Sequence, residues 1–144
     1  MPILTRVDHL NVQVPPDREA EAIAFYRDLV GFKQLQKPDN LGPKGGHFCI
    51  SENPWYELHV GIARGTNSAD IDFKNTLRNH LAFQVEGLAD ARVKFEEAGV
   101  EIMDAEASYS KDRDFHQDRF FIRDPGGNLL EIMETRRDYN AAPH

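Results

Sequence analysis

The chain reads as an α+β fold: two tandem βαβββ modules whose strands make a curved mixed sheet, a cup, with helices on its outer face. Three observations predict this. HLNVQV at 9–14 returns as HLAFQV at 80–85, 71 residues further on. Each copy is followed by a stretch of helical period and then by short segments of period two. The count between the last two strands is the same in both copies: His59 lies nine residues after Ile50, and Glu131 nine after Ile122.

The elements follow in order. VDHLNVQV, 7–14, alternates Leu10, Val12 and Val14 with His9, Asn11 and Gln13, the period of a half-buried strand. Pro15-Pro16 ends it, and Asp17 is placed to cap the next helix. There Ala22, Ile23, Tyr26, Leu29 and Val30 recur at helical spacing, and Gly31 is a natural stop. FKQLQ (32–36), HFCI (47–50) and YELHVGI (56–62) are short strands, with the loop PDNLGPKGG between the first two. In the second copy HLAFQV precedes a helix over about 87–98. Its stripe is Leu88, Ala91, Phe95 and Ala98, and Gly99 closes it. VEIM (100–103), RFFIRD (119–124) and NLLEIME (128–134) are strands, DAEASYSKDRDFHQD reads as loop, and PGG is the closing turn. The whole of 1–144 is expected to be one domain. Module 1 covers about 5–63, a linker 64–78, module 2 79–135, and a tail 136–144.

Bulk properties narrow the function. A net charge of −7 argues against a nucleic-acid partner, which needs a basic face to meet phosphates. No apolar run approaches the roughly 20 residues that cross a bilayer, and MPILTRVDH has no signal-peptide core. The single cysteine, Cys49, cannot make an internal disulfide and reads as a small packing residue. A cytoplasmic address and no membrane association are the expectation.

Strand periodicity sorts the candidate residues. Leu10, Val12, Val14, Leu58, Val60 and Ile62, with Leu81, Phe83, Val85, Leu130 and Ile132, should pack under the helices. The opposite face then carries His9, Asn11, Gln13, His47, Cys49, Glu57, His59, His80, Gln84, Arg119, Phe121 and Glu131. Sliding the chain by 71 or 72 residues sets His9 on His80, His59 on Glu131, and His47 on Arg119. Four metal-capable groups thus occupy two pairs of equivalent positions. Imidazole and carboxylate suit Fe(II), Mn, Co, Ni or Zn, and two His plus one carboxylate leave open positions for a substrate. Asn11, His47, Tyr56, Arg119 and Phe121 are candidate pocket residues. Arg119 could meet a substrate carboxylate or phosphonate, or pair with a surface acid. Trp55 and Tyr109 are further wall candidates, His116 reads as solvated, and His144 as tail.

VDHLNVQV with FYRDLVGF, ELHVGI, NHLAFQV and RFFIRDPGGNLLEIME resembles the vicinal oxygen chelate superfamily over about residues 5–135. The resemblance implies a small-molecule substrate that presents two oxygens to a divalent ion (Fe2+, Mn2+, Ni2+, Co2+ or Zn2+), and a homodimer. His9, His80 and Glu131 match the recurrent ligands. The fourth is His59 by the repeat count or Glu57 by the family's xEL pattern, and His59 is preferred. Glu131 and Glu57 are the candidate catalytic bases. Isomerase or lyase chemistry, ring-cleaving dioxygenation and a fosfomycin-type transfer all suit such a site. A bleomycin-binding type of sequestering protein is the non-catalytic alternative.

Overall fold

The structure is a computed structural model, and it describes residues 7–63, 65, 67, 80–110 and 115–136. Most of the expected linker, the tail after Arg136 and His144 lie outside the described residues. So do the side chains of Tyr109 and His116. The chain divides into two compact units. The first runs from Met1 to Thr76 and includes the turn Asp124–Asn128; the second holds Leu77–Arg123 and Leu129–His144.

In the first unit the strands are β1 (His9–Val14), β2 (Lys33–Leu35), β3 (Gly46–Glu52) and β4 (Trp55–Ile62). They form one mixed sheet in the order β1-β4-β3-β2, with β1 parallel to β4 and the other pairs antiparallel. Helix α1 (Glu19–Ala24) connects β1 to β2, with a short 3-10 turn before it (Pro16–Arg18) and a wider π turn after it (Phe25–Val30). Asp17 falls inside the 3-10 turn, and Arg18 takes the cap position without a side-chain bond. Gly31 closes the helical segment at φ +89°, the left-handed geometry that its missing Cβ allows. Val12, Val14, Ala22, Phe25, Tyr26, Phe48, Leu58 and Val60 are buried. Val12, Val14, Leu58 and Val60 follow the alternation read from β1 and β4, and Ala22 and Tyr26 belong to the helical stripe; its Ile23, Leu29 and Val30 are only half-buried, while Phe25, outside it, is buried.

The turn Asp124–Asn128 packs into this unit. Asp124 is buried and accepts hydrogen bonds from the Tyr26 hydroxyl (2.6 Å), the Gly126 N–H (2.9 Å), the Asn128 N–H (2.8 Å) and the Asn128 side-chain amide (2.9 Å to Oδ2). The same amide donates to the Gln13 carbonyl at 2.8 Å. Gly126 meets Val14 so closely that a Cβ there would stand 2.9 Å from the valine Cβ and 3.0 Å from its Cα. Gly126→Ala is therefore expected to lower stability by about 1–3 kcal/mol through overpacking against backbone. Urea denaturation of the two proteins measures it, and an unchanged midpoint would contradict the packing described.

The second unit repeats the topology. Strands β5 (His80–Gln84), β6 (Met103–Asp104), β8 (Phe115–Arg123) and β9 (Leu129–Arg136) take the order β5-β9-β8-β6, again with the first strand parallel to the last. A fifth strand, β7 (Ser108–Ser110), pairs with β8. Sequence alone reads both β7 and the start of β8 as loop, because SYSKDRDFHQD lacks apolar alternation. Hydrogen bonds between the two strands carry that hairpin. Helix α2 (Leu88–Glu97) starts with its Gly87 and Leu88 N–H groups donating to the Glu134 carboxylate, at 3.0 and 3.3 Å. A distant acid thus satisfies N–H groups that the helix leaves open. Phe95, Phe120, Ile122, Leu130 and Ile132 are buried.

Candidate metal centre

In the first unit, register brings the polar residues of β1, β3 and β4 into two adjoining rows. His9, Glu57 and Cys49 are cross-strand partners in one row; Asn11, His59 and His47 are partners in the next. The alternation that sends Leu58 and Val60 into the core sends Glu57 and His59 the other way. Neighbouring strands lie ~4.8 Å apart, so side chains of this length meet. The His47 and His59 rings stack at 3.5 Å between centroids and 5° between planes. His9 stacks on His59 at 4.1 Å, and its Nδ1 lies 2.9 Å from Asp8 Oδ1.

Glu57 lies within this group. Its Oε2 accepts from the Trp55 indole N–H at 2.7 Å, while its Oε1 is 3.0 Å from His59 Nε2 and 4.0 Å from His47 Nδ1. The indole bond first, and then His59, hold the Glu57 carboxyl below its ordinary range. Burial, and then the neighbouring His59, hold His47 below the usual histidine value, with Glu57 pulling the other way. Donor atoms of His47, Glu57 and His59 all lie within 4.8 Å of one another. Asn11 accepts from the Gln13 amide at 2.6 Å, which Gly61 accommodates by having no Cβ. Tyr56 alternates with Glu57 along β4 and falls on the face of Leu58 and Val60.

In the second unit, His80 Nε2 is 3.0 Å from Glu131 Oε2, and Arg119 donates to Glu131 Oε1 at 3.2 Å. Arg119 also donates to the Glu106 carbonyl and lies over the Phe121 ring, 5.6 Å from its centroid. The His80 ring meets Phe121 edge-on at 5.5 Å. Glu131 is 5 % exposed. The acid that Arg119 meets is the buried Glu131, not a surface group.

The two units correspond in register as well as in sequence. Asn11 pairs with His59 across β1 and β4, and Ala82 pairs with Glu131 across β5 and β9. His59 and Glu131 therefore hold equivalent places, as the gapless count predicts. The match of His47 to Arg119 does not survive. His59 faces His47, but Glu131 faces Phe121, so register pairs His47 with Phe121. The cause is local. The β3–β4 hairpin carries an irregularity between Cys49 and Ser51 and closes tightly, Glu52 facing Trp55, whereas Arg123 faces Leu129 across a longer turn. Sequence counting cannot see a register shift that keeps the residue count.

Asp8 is a contact the sequence reading does not assign to this site, and Trp55, read there as a wall, is a hydrogen-bond donor to Glu57. Their signal is present but weak: each lies one or two residues from a candidate ligand. The donor set of the first unit, two imidazoles and a carboxylate within 4.8 Å, suits a transition-metal ion by chemistry and by reach.

The chain was compared with known proteins. Residues 6–132 match the family model described as the glyoxalase/bleomycin resistance protein/dioxygenase superfamily. A curated relative, Glyoxylase I 4 of Arabidopsis thaliana, is 25% identical over 139 residues, covering 90% of this chain and 70% of the relative. A glyoxalase family protein from Bacillus anthracis superposes with a TM-score of 0.72 at 28% identity, over 94% of this chain and 99% of that one. The fosfomycin resistance protein FosX of Listeria monocytogenes gives 0.65 at 15% identity, over 92% of each chain, a likeness of fold.

Proposed function

The chain belongs to the glyoxalase/bleomycin resistance protein/dioxygenase superfamily, and from that premise we propose that it is a divalent-metal-dependent enzyme acting on a small, oxygen-chelating substrate. The observation that carries this reading is the pairing, in each unit, of an imidazole and a carboxylate 3.0 Å apart: His59 with Glu57, and His80 with Glu131. The ion's proposed protein ligands are His9, His59, His80 and Glu131. When bound, the ion supplies Lewis-acid polarisation of the substrate's oxygens.

The chain's own groups do the rest. Glu57 is a proton acceptor at Oε1, since Trp55 occupies Oε2. Glu131 is the second carboxylate base, held ready by His80 and Arg119. Asn11 and His47 offer polar contacts to substrate, and Phe121, fixed between His80 and Arg119, offers an apolar wall. This arrangement favours proton transfer beside a polarised carbonyl, isomerase or lyase chemistry, with ring-cleaving dioxygenation the next choice. No helix is long and apolar enough to cross a membrane among the described residues.

Elemental analysis after reconstitution with Fe(II), Mn, Co, Ni and Zn tests the reading. One ion per active site is expected, and turnover of any substrate found should stop on chelation and return with metal. At an ion concentration of 100 times its dissociation constant, the folded chain should gain about 2.7 kcal/mol in denaturant unfolding. A protein that takes up none of these ions, yet binds small molecules tightly, would be a sequestering protein instead.

A further inference from the structure

We infer that the first unit holds a divalent transition-metal ion by itself, through His47, Glu57 and His59, without a residue of the second unit. This rests on the metal reading and goes beyond it. It makes His47, so far only a pocket residue, and Glu57, so far only a base, ligands, which leaves Glu131 as the base, and it separates ion uptake from His80 and Glu131.

Three features of the trio carry the inference. The first is reach. Bonds of about 2.1 Å to a four- or six-coordinate ion set ligand atoms about 3.0–3.4 Å apart. The donor atoms lie within 4.8 Å of one another, a gap that small side-chain rotations close. The second is orientation. The rings lie near-parallel 3.5 Å apart on strands paired at His47–His59, so their in-plane lone pairs converge once the rings tilt toward each other, a side-chain rotation that leaves the backbone in place. The Trp55 bond on Oε2 turns the other oxygen of Glu57, Oε1, toward both rings. The third concerns what a hydrogen-bond account leaves over. The carboxylate and His59 satisfy each other at 3.0 Å. His47, with its side chain only 12 % exposed, stands 4.0 Å away and makes no hydrogen bond among the described residues. An ion uses all three groups, whereas a hydrogen-bonded pair uses two.

The test is titration of the full-length protein with Zn(II) by calorimetry, and with Co(II) by its visible absorption bands. Four proteins are compared: wild type, the double variant His80→Ala/Glu131→Gln, and the double variant carrying His47→Gln or His47→Phe. Circular dichroism checks that each folds. The double variant should bind one equivalent, more weakly than wild type. Both His47 replacements should weaken that binding about 100-fold or more, since even a group that only supports a ligand is worth 10–100-fold. Phenylalanine keeps a ring against His59, so wild-type-like affinity in that variant would make His47 a mere stacking partner and overturn the inference. Glutamine keeps the inference testable if phenylalanine misfolds. If wild type binds and the double variant does not, the first unit is insufficient and the inference fails while the metal reading stands. If wild type takes up no ion, both fail.

Discussion

Asp124→Ala is expected to lower the stability of the chain by about 3–5 kcal/mol, at the upper end of what single substitutions do. The carboxylate accepts from the Tyr26 hydroxyl, two backbone N–H groups and the Asn128 amide. Alanine orphans all of them, at about 1–3 kcal/mol for each donor that water cannot reach. Tyr26→Phe removes one donor and should cost about 1–2 kcal/mol, and the double variant should cost less than the sum. The pH dependence has a definite sign. Burial, the largest cause, raises the Asp124 carboxyl above its ordinary value, and the bonds from Tyr26 and Asn128 oppose it. A raised folded value means that the contribution is fully present below the unfolded value, about 3.9, and declines as the pH rises through the folded one. The penalty of Asp124→Asn, which cannot ionise, should therefore be larger in acid than at neutral pH. Urea unfolding across this range measures each effect. A cost under about 1 kcal/mol for Asp124→Ala would mean that the turn is not anchored as described.

That anchor shows where the sequence was legible and where it was not. The period-two runs of β1 and β4 predict which residues are buried, because one face of a sheet must leave water. The buried Val12, Val14, Leu58 and Val60 obey this. The repeat predicts that the two units share one topology, and it gives His59 and Glu131 equivalent places within them. Three things were out of reach. Tyr26 reads as one more apolar position in a helical stripe, since a hydroxyl's partner 98 residues away leaves no local trace. β7 has no alternation to announce it. The register shift in the β3–β4 hairpin makes His47 the equivalent of Phe121 without changing a single count. The donor set of each unit was legible as one face of its strands. Its grouping depends on cross-strand distances that periodicity does not carry.

Glu131→Gln is expected to weaken ion binding by about 100-fold, and to lower turnover of an ion-dependent substrate by about 10²–10⁴-fold. Glutamine keeps the shape and one acceptor oxygen of a side chain that is only 5 % exposed, so the fold should survive. What it removes is the negative charge. In the native chain that charge faces His80 Nε2 at 3.0 Å and the Arg119 guanidinium at 3.2 Å. Water is largely excluded there, so the charge acts with little screening. It can stabilise a cation ligated beside His80, and it can accept a proton; a neutral amide does neither. Arg119 retains the Glu106 carbonyl and the Phe121 ring, which keep it in place after the substitution. Glu97→Gln, on the exposed side of α2, is the matched control for loss of one charge and should leave ion affinity unchanged. Zn(II) calorimetry on the three proteins decides the matter. If Glu131→Gln and wild type bind alike, Glu131 is not a ligand, and the carboxylate serves to hold His80 and Arg119. If affinity falls while Glu97→Gln stays level, the loss belongs to this position and not to the overall charge of −7.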